Sequence, residues 1–138
     1  PHTSPPRLRE LDPLIESARA GGVRLEVIGD PAALPDLPAA VDLVAYRIVQ
    51  EALTNVVKHA PGAAATLRVE QVDHQVEIDV RNESTGAHAS TDSGTGLASM
   101  RERAQSVGGS VTADRDGNVW RVHARLPLRE LDGLGGDA

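Results

Sequence analysis

Apolar positions along the chain follow two different spacings, which divide it into helices and strands. In three segments the apolar residues recur every three or four positions, which predicts amphipathic helices that end at Gly-Gly or Pro-Gly pairs. These segments are 7–20, 39–60 and 97–107. In five others apolar and polar residues alternate, which predicts strands with one buried face. These are 23–28, 66–72, 75–81, 110–114 and 119–126.

The order of these elements predicts the fold class. Two pairs of strands are separated only by short turns, around Asp73-His74 and across 115–118, and are predicted to be hairpins. The five-stranded sheet should therefore be mixed and mostly antiparallel. Three amphipathic helices are enough to cover one of its faces. We predict a two-layer α/β (α+β) sandwich with the three helices on one side of the sheet.

The length of 138 residues fits one domain with loose ends. The proline-rich start, 1–6, is interpreted as a linker or a cloning remnant, so the chain is expected to be a piece of a larger protein. The domain itself is expected to span 7–128. The residues that follow, 129–138, are rich in Gly and Asp and are expected to form a flexible tail.

Composition argues against several classes of function. The net charge of −6 disfavours a nucleic-acid partner, which normally requires a basic face. The chain has no cysteine, so disulfides and cysteine-ligated metals are excluded, and a cytoplasmic location is expected. No apolar run is long enough to cross a bilayer, so this segment is not expected to contact a membrane, whether or not a parent protein is anchored in one.

A polar stripe on the second predicted helix is the strongest candidate for chemistry. Glu51, Asn55, Lys58 and His59 lie at helical spacing and share one face. Such a stripe suits a magnesium ion with phosphate oxygens, because Mg²⁺ takes one or two protein oxygens together with substrate phosphates. The alternative is an ordinary solvated helix face, which is what most charged stripes are.

A second candidate is the glycine-rich run at 94–97, which leads into the third predicted helix. Glycines let the backbone approach a ligand closely, and a helix start offers free N–H groups to an anion. The stretch 82–96 contains no large apolar side chain, which predicts a polar loop long enough to close over a ligand. The alternative is a flexible loop followed by a helix cap.

Both candidates resemble motifs of a known family. The run Tyr46–Ala60, YRIVQEALTNVVKHA, resembles the N-box of sensor histidine kinases. The run Gly94–Val111 resembles their second glycine box, in the form found in the subfamily that signals to LuxR-type response regulators. The resemblance covers about 7–128. It implies the Bergerat fold of the GHKL ATPases, an α/β sandwich with ATP between the helices under a mobile lid.

The resemblance implies a role for each matching residue. Asn55 matches the family's Mg²⁺-binding asparagine, and Glu51 matches the acidic residue proposed to activate the phosphoacceptor histidine. Lys58 and His59 match the phosphate-facing end of that helix. The glycine-rich run matches the segment that approaches the triphosphate of ATP. Its predicted ATP-binding residues are Gly94, Thr95, Gly96 and Leu97.

One departure from the family pattern follows the third predicted strand. The family's first glycine box reads Asp-x-Gly-x-Gly, and its Asp accepts a hydrogen bond from the adenine amine. Here Asn82 occupies the Asp position, Ser84 the first glycine, and only Gly86 matches. The Asn82 oxygen can accept the same bond without charge assistance, so weaker adenine binding or selectivity is expected rather than its loss.

The resemblance implies a catalytic domain that transfers the γ-phosphoryl group of ATP to a histidine, with Mg²⁺. That histidine belongs to a dimerisation and phosphoacceptor domain that this chain lacks, so the fragment is not expected to phosphorylate itself. A response regulator of LuxR type is the expected further partner. Three alternatives stay open: a degenerate nucleotide-binding module acting through protein contacts, an anti-sigma-factor serine kinase of the same fold, and a plain structural domain.

Overall fold

The computed structural model describes residues 6–83 and 94–128. Within these ranges the chain forms three α-helices, five strands and one short 3₁₀ turn at Pro31–Ala33. The helices are α1 (Asp12–Ala20), α2 (Ala39–His59) and α3 (Gly94–Ser106). The strands are β1 (Arg24–Ile28), β2 (Ala64–Val72), β3 (Gln75–Glu83), β4 (Ser110–Asp116) and β5 (Val119–Pro127).

The strands form one mixed sheet in the order β1-β2-β3-β5-β4. Only β1 and β2 pair in parallel, and the other three pairings are antiparallel. Tight turns close both predicted hairpins, with Asp73 and Gly117 at positive φ angles of 55° and 64°, a conformation typical of hairpin turns. The predicted fold class, a mixed five-stranded sheet with three helices, is confirmed.

The helices cover one face of the sheet, and α2 contacts both α1 and α3. The core between the layers is aliphatic, as expected from a chain with one Trp, one Tyr and no Phe. Its largest fully buried side chains come from both layers. They include Leu8, Ile48, Leu67, Ile78, Met100 and Leu126. This packing fixes the rotation of α2, and thereby which of its polar side chains face its neighbours.

The first helix starts later than predicted, at Asp12 instead of Arg7. Pro13 occupies its first turn, where proline is favoured. The preceding residues are tied down differently: Leu8 and Leu11 are buried, and the Leu8 N–H donates to Asp42 Oδ1 at 2.7 Å. The helical spacing of these leucines therefore reflects a buried turn that packs on the start of α2.

The predicted loop at 82–96 is wrong at both ends. Asn82 and Glu83 continue β3, because their backbones pair with β5 opposite Trp120 and Val119. Gly94 begins α3, three residues before the predicted start at Leu97. Ladder pairing and a helical first turn do not require apolar side chains, so the apolar pattern could not mark either boundary.

Residues 84–93 lie outside the described residues, as do residues 1–5 of the predicted linker and the predicted tail, 129–138. The domain limits therefore stay predictions. Among the described residues, no helix combines the length and the apolar character needed to cross a membrane.

Candidate functional site

The polar flank of α2 that faces α3 carries two of the predicted site residues. Glu51 and Asn55 are one helical turn apart, and both are half-buried. Their neighbours Ala52, Leu53 and Val56 are buried in the core. Because the buried face fixes the helix, Glu51 and Asn55 lie at the boundary between the core and solvent, which rules out the interpretation of both as fully solvated surface residues.

The first turn of α3 meets this flank at Gly96. A Cβ atom at this position would lie 2.7 Å from Glu51 Oε2 and 3.7 Å from Asn55 Nδ2. The first of these distances is shorter than a nonbonded contact, so the absence of a side chain lets the helix backbone come this close. The structure therefore brings together the two candidate motifs, which are far apart in the sequence.

This contact brings a carboxylate to the positive end of a helix dipole. The start of α3 has N–H groups without intrahelical partners and is the positive end of its helix dipole. The Glu51 carboxylate lies beside this end and forms no ion pair with any other described residue. A ladder of Glu–Lys pairs along α2, the ordinary explanation of such a stripe, is therefore not formed by Glu51.

Lys58 and His59 occupy the last turn of α2. Lys58 is exposed and His59 is half-buried. Basic side chains at this end of a helix are favourable on their own, because they complement the negative end of the helix dipole. Neither makes a hydrogen bond or ion pair to Glu51 or Asn55, so their predicted contact with phosphate stays a prediction.

Asn82 lies at the end of β3 on the face that the helices cover. It is 6% exposed and pairs with Ala65, near the start of β2. Since β2 starts shortly after α2 ends, Asn82 and the last turns of α2 share one end of the sheet. The Asn82 Nδ2 group donates to the Glu83 carbonyl oxygen at 3.0 Å. This bond fixes the orientation of the amide and leaves Oδ1 as the acceptor.

The remaining predicted residues are placed less completely. Gly94 and Thr95 belong to the first turn of α3. Leu97 is half-buried and packs against the core, so it supports the helix from within. Gly86 lies outside the described residues.

The donor atoms at the contact fit a magnesium ion that is shared with a ligand. The Asn55 carboxamide and the Glu51 carboxylate supply the hard oxygens that Mg²⁺ prefers. Within the ranges that the structure describes, no three His, Cys, Asp or Glu side chains form a cluster that could hold a metal. Mg²⁺ at this position would therefore depend on ligand oxygens, such as those of phosphates, for most of its coordination.

The opposite face of the sheet carries a charged cluster that the sequence reasoning missed. Asp79, 7% exposed, accepts hydrogen bonds from Arg121 Nε at 2.8 Å and Arg81 Nε at 2.9 Å. Burial alone raises the pKa of Asp79, but the bonds and charges of both arginines outweigh it, so its pKa is lowered. The polar positions of β3 and β5 alternate, which could have located this face.

A groove of about 480 Å³ lies on this open face. Its charged side chains are balanced, because three arginines alternate with three carboxylates. They are Arg24, Arg68, Arg81, Glu26, Asp79 and Glu83. This balance is typical of a solvated surface.

Comparisons with known proteins identify the family of the chain. The profile of the family described as histidine kinase-, DNA gyrase B-, and HSP90-like ATPase matches residues 40–130. A signal transduction histidine-protein kinase/phosphatase, UhpB of Salmonella typhimurium, is 36% identical over 61% of this chain and 17% of its own length. The sensor histidine kinase YxjM of Bacillus subtilis is 40% identical over 66% of this chain and 22% of its own.

The chain thus spans about a fifth of the length of the curated relatives it matches. Among solved structures, the blue-light activated histidine kinase EL346 of Erythrobacter litoralis has the same fold. Its TM-score is 0.72 at 21% identity, over 88% of this chain and 42% of that one. Because the family profile covers most of the described domain, including α2, β3, α3 and β5, the chain belongs to the histidine kinase-, DNA gyrase B- and HSP90-like ATPases.

Proposed function

We propose that this chain is the catalytic, ATP–Mg²⁺-binding domain of a sensor histidine kinase, which transfers the γ-phosphoryl group of ATP to a histidine on a separate domain. The observation that carries the proposal is the contact of Gly96 with Glu51 and Asn55. It supports one binding site for a metal-bound triphosphate between α2 and α3. The relatives named sensor histidine kinases support the direction of transfer.

The proposed mechanism relies on positioning and on the neutralisation of charge. When bound, Mg²⁺ would supply positive charge that neutralises the phosphate oxygens. Asn55 would hold the metal through its neutral carboxamide oxygen, and the N–H groups at the start of α3 would bind phosphate oxygens. Lys58 and His59, in the last turn of the same helix, would bind phosphate as well.

Glu51 has a different role, because its carboxylate can accept a proton. It would orient the incoming neutral imidazole and take the N–H proton of one ring nitrogen, while the lone pair of the other nitrogen attacks the γ-phosphorus and the bond to the β–γ bridging oxygen breaks, which releases ADP. At the other end of the nucleotide, Asn82 Oδ1 accepts a hydrogen bond from the adenine amine. The partners are the dimerisation and phosphoacceptor domain of the parent kinase and, through it, a response regulator of LuxR type. The proposed location is the cytoplasm.

A second function is favoured by one specific observation, the replacement of the family's adenine-binding Asp by Asn82. A domain with weakened nucleotide binding could act through protein contacts alone. The two functions differ in one outcome: only the kinase transfers labelled phosphate.

The test mixes this chain with the parent kinase's phosphoacceptor domain and ATP labelled at the γ-phosphate. We expect label on the acceptor histidine and none on this chain alone. Glu51→Gln should slow transfer at least about a hundredfold, the usual contribution of a general base. Glu16→Gln, the same charge change on the exposed face of α1, should have no effect.

Two results would each contradict one part of the proposal. Transfer by Glu51→Gln at the parent rate would remove Glu51 from the mechanism. ATP binding without any transfer to the acceptor would favour the second function.

A further inference from the structure

Asn82 has one large neighbour on its own face of the sheet, the only tryptophan of the chain. In the antiparallel ladder between β3 and β5, Asn82 is the direct partner of Trp120. Side chains of directly opposed residues stand about 4.5–5.5 Å apart at Cβ and point to the same side. The next residues of that parity on β5, Val122 and Ala124, are buried in the core, so Trp120 lies on the helix-covered face.

The row of side chains at this end of the sheet is uneven in size. Asn82 is flanked by Ala65 on β2 and by Trp120 on β5. Trp120 is half-buried and packs against the core with part of its surface. An indole in this position keeps part of its surface available to a ligand held at Asn82, while the alanine on the other side leaves space.

The hydrogen bond from Asn82 Nδ2 to the Glu83 carbonyl oxygen engages the nitrogen side of the amide, and the oxygen can act only as an acceptor. A flat heteroaromatic ring with an exocyclic amine can contact both Asn82 and Trp120, because its amine can donate to Asn82 Oδ1 while the ring lies against the indole. We propose that Trp120 forms a wall of the base pocket and that the purine of the nucleotide packs against it. This inference rests on the proposed function and adds a specificity-determining residue to that site.

The pairing of Asn82 with Trp120 affects how tightly the nucleotide base should bind. A neutral amide binds the amine more weakly than a carboxylate does, whereas stacking on an aromatic ring is strong and tolerant of the base. The pocket should therefore depend more on Trp120 than on Asn82, and prefer purine over pyrimidine nucleotides.

Intrinsic fluorescence tests this directly, since all tryptophan emission of the chain comes from Trp120. The probes are a non-hydrolysable ATP analogue and inorganic tripolyphosphate, each with Mg²⁺, with binding measured in parallel by calorimetry. We expect a saturable change of emission with the ATP analogue and none with tripolyphosphate. ATP binding without a change of emission would overturn the inference.

Variants supply the second measurement. Trp120→Leu should weaken binding of the ATP analogue about tenfold, and Trp120→Phe by less than about threefold, because a phenyl ring retains stacking. Leu128→Ala is the matched control, since it truncates a half-buried side chain beyond the far end of the same strand. It should leave affinity unchanged. Thermal unfolding reports whether each variant is folded.

The failure of this inference is distinguishable from that of the proposed function. If calorimetry shows that Trp120→Leu binds the ATP analogue as tightly as the parent does, the role of Trp120 is overturned and the nucleotide site is left intact. An absence of binding heat in the parent chain would overturn both.

Discussion

At the scale of single residues, Gly96 is the position where packing and ligand binding conflict. Its missing side chain lets α3 approach the Glu51 carboxylate, at the cost of helix propensity that an alanine would restore. A residue selected only for stability would not be glycine here. Opposite effects of substitution on stability and on binding are therefore expected.

Gly96→Ala should raise or maintain the free energy of unfolding, by up to about 1 kcal/mol, because alanine is the better helix former. It should also weaken Mg–ATP binding about tenfold, since the new methyl group takes up space beside Glu51 and Asn55, where the metal-bound triphosphate is proposed to bind. Urea unfolding and calorimetric titration of the same preparation measure both quantities.

Gly21→Ala is the control, because its expected effects on stability and on nucleotide affinity are the reverse of those of Gly96→Ala. Its Cβ would lie 2.9 Å from Val57 Cγ1, which is a stiff β-branched side chain in α2. It should lower stability and leave nucleotide affinity unchanged. A Gly96→Ala protein that binds Mg–ATP like the parent would show that the close approach has no role in binding.

A substitution at Asn82 is predicted to increase the affinity for ATP. Asn82→Asp restores a charged acceptor, and charged hydrogen bonds contribute about 1.5–3 kcal/mol against about 1 kcal/mol for neutral ones. We expect ATP to bind up to about tenfold more tightly, and GTP, whose base offers no amine at that position, to gain nothing. Competition between the two nucleotides measures the difference. Equal gains for both would remove Asn82 from base recognition.

At the scale of elements, β3 separates two different chemistries. Its residues at even positions, such as Val80 and Asn82, face the helices, and those at odd positions face the charged cluster. Asp79, between Arg81 and Arg121, is the centre of that cluster, with Glu77, His123 and Arg125 around it. The cluster stabilises the β3–β5 pairing from the face of the sheet opposite the helices.

The pH dependence of stability follows from the pKa of Asp79. Because that pKa is lower in the folded state than in the unfolded chain, the stabilisation is fully present above the unfolded pKa of about 3.9 and is lost as pH falls through the lower folded value. Asp79→Asn should cost about 1–3 kcal/mol at pH 7. The difference from the parent should shrink below about pH 4.

Denaturant unfolding between pH 7 and pH 3 measures this difference. Asp116→Asn, an exposed carboxylate at the end of β4, is the control and should change little. Nucleotide affinity should be unchanged by Asp79→Asn. A destabilisation that is independent of pH would mean that Asp79 contributes through packing and not through its charge.

The elements could be predicted where side chains repeat and not where the backbone alone decides. Alternation in β2 and β3 and the helical spacing in α2 gave their positions to within a few residues, because one face of each is buried. The end of β3 at Glu83 and the start of α3 at Gly94 depend on backbone pairing and helix geometry. The residue types at these boundaries, glycine, asparagine and glutamate, do not predict either one. Leu8 and Leu11 misled the prediction of α1, since a buried turn can place leucines at helical spacing.

At the scale of the molecule, the sheet order brings distant parts of the sequence to one end. Three features lie on the helix-covered side of the sheet. They are the turn of α2 that carries Asn55, the first turn of α3, and the pair of Asn82 with Trp120. The motifs in the sequence indicated which residues to compare. Only the register of β3 and β5 shows that Trp120 stands beside Asn82, since no local pattern connects the two.

The central claim is that Asn55 and the start of α3 bind one magnesium–triphosphate unit. Calorimetric titration of a non-hydrolysable ATP analogue, with and without Mg²⁺, tests it on the parent and on Asn55→Ala, with Gln50→Ala on the α1 side of the same helix as control. We predict that Mg²⁺ tightens binding to the parent and to the control, and that Asn55→Ala loses this gain, at least about tenfold, while still binding the metal-free nucleotide. Full Mg²⁺ dependence in Asn55→Ala would contradict the claim.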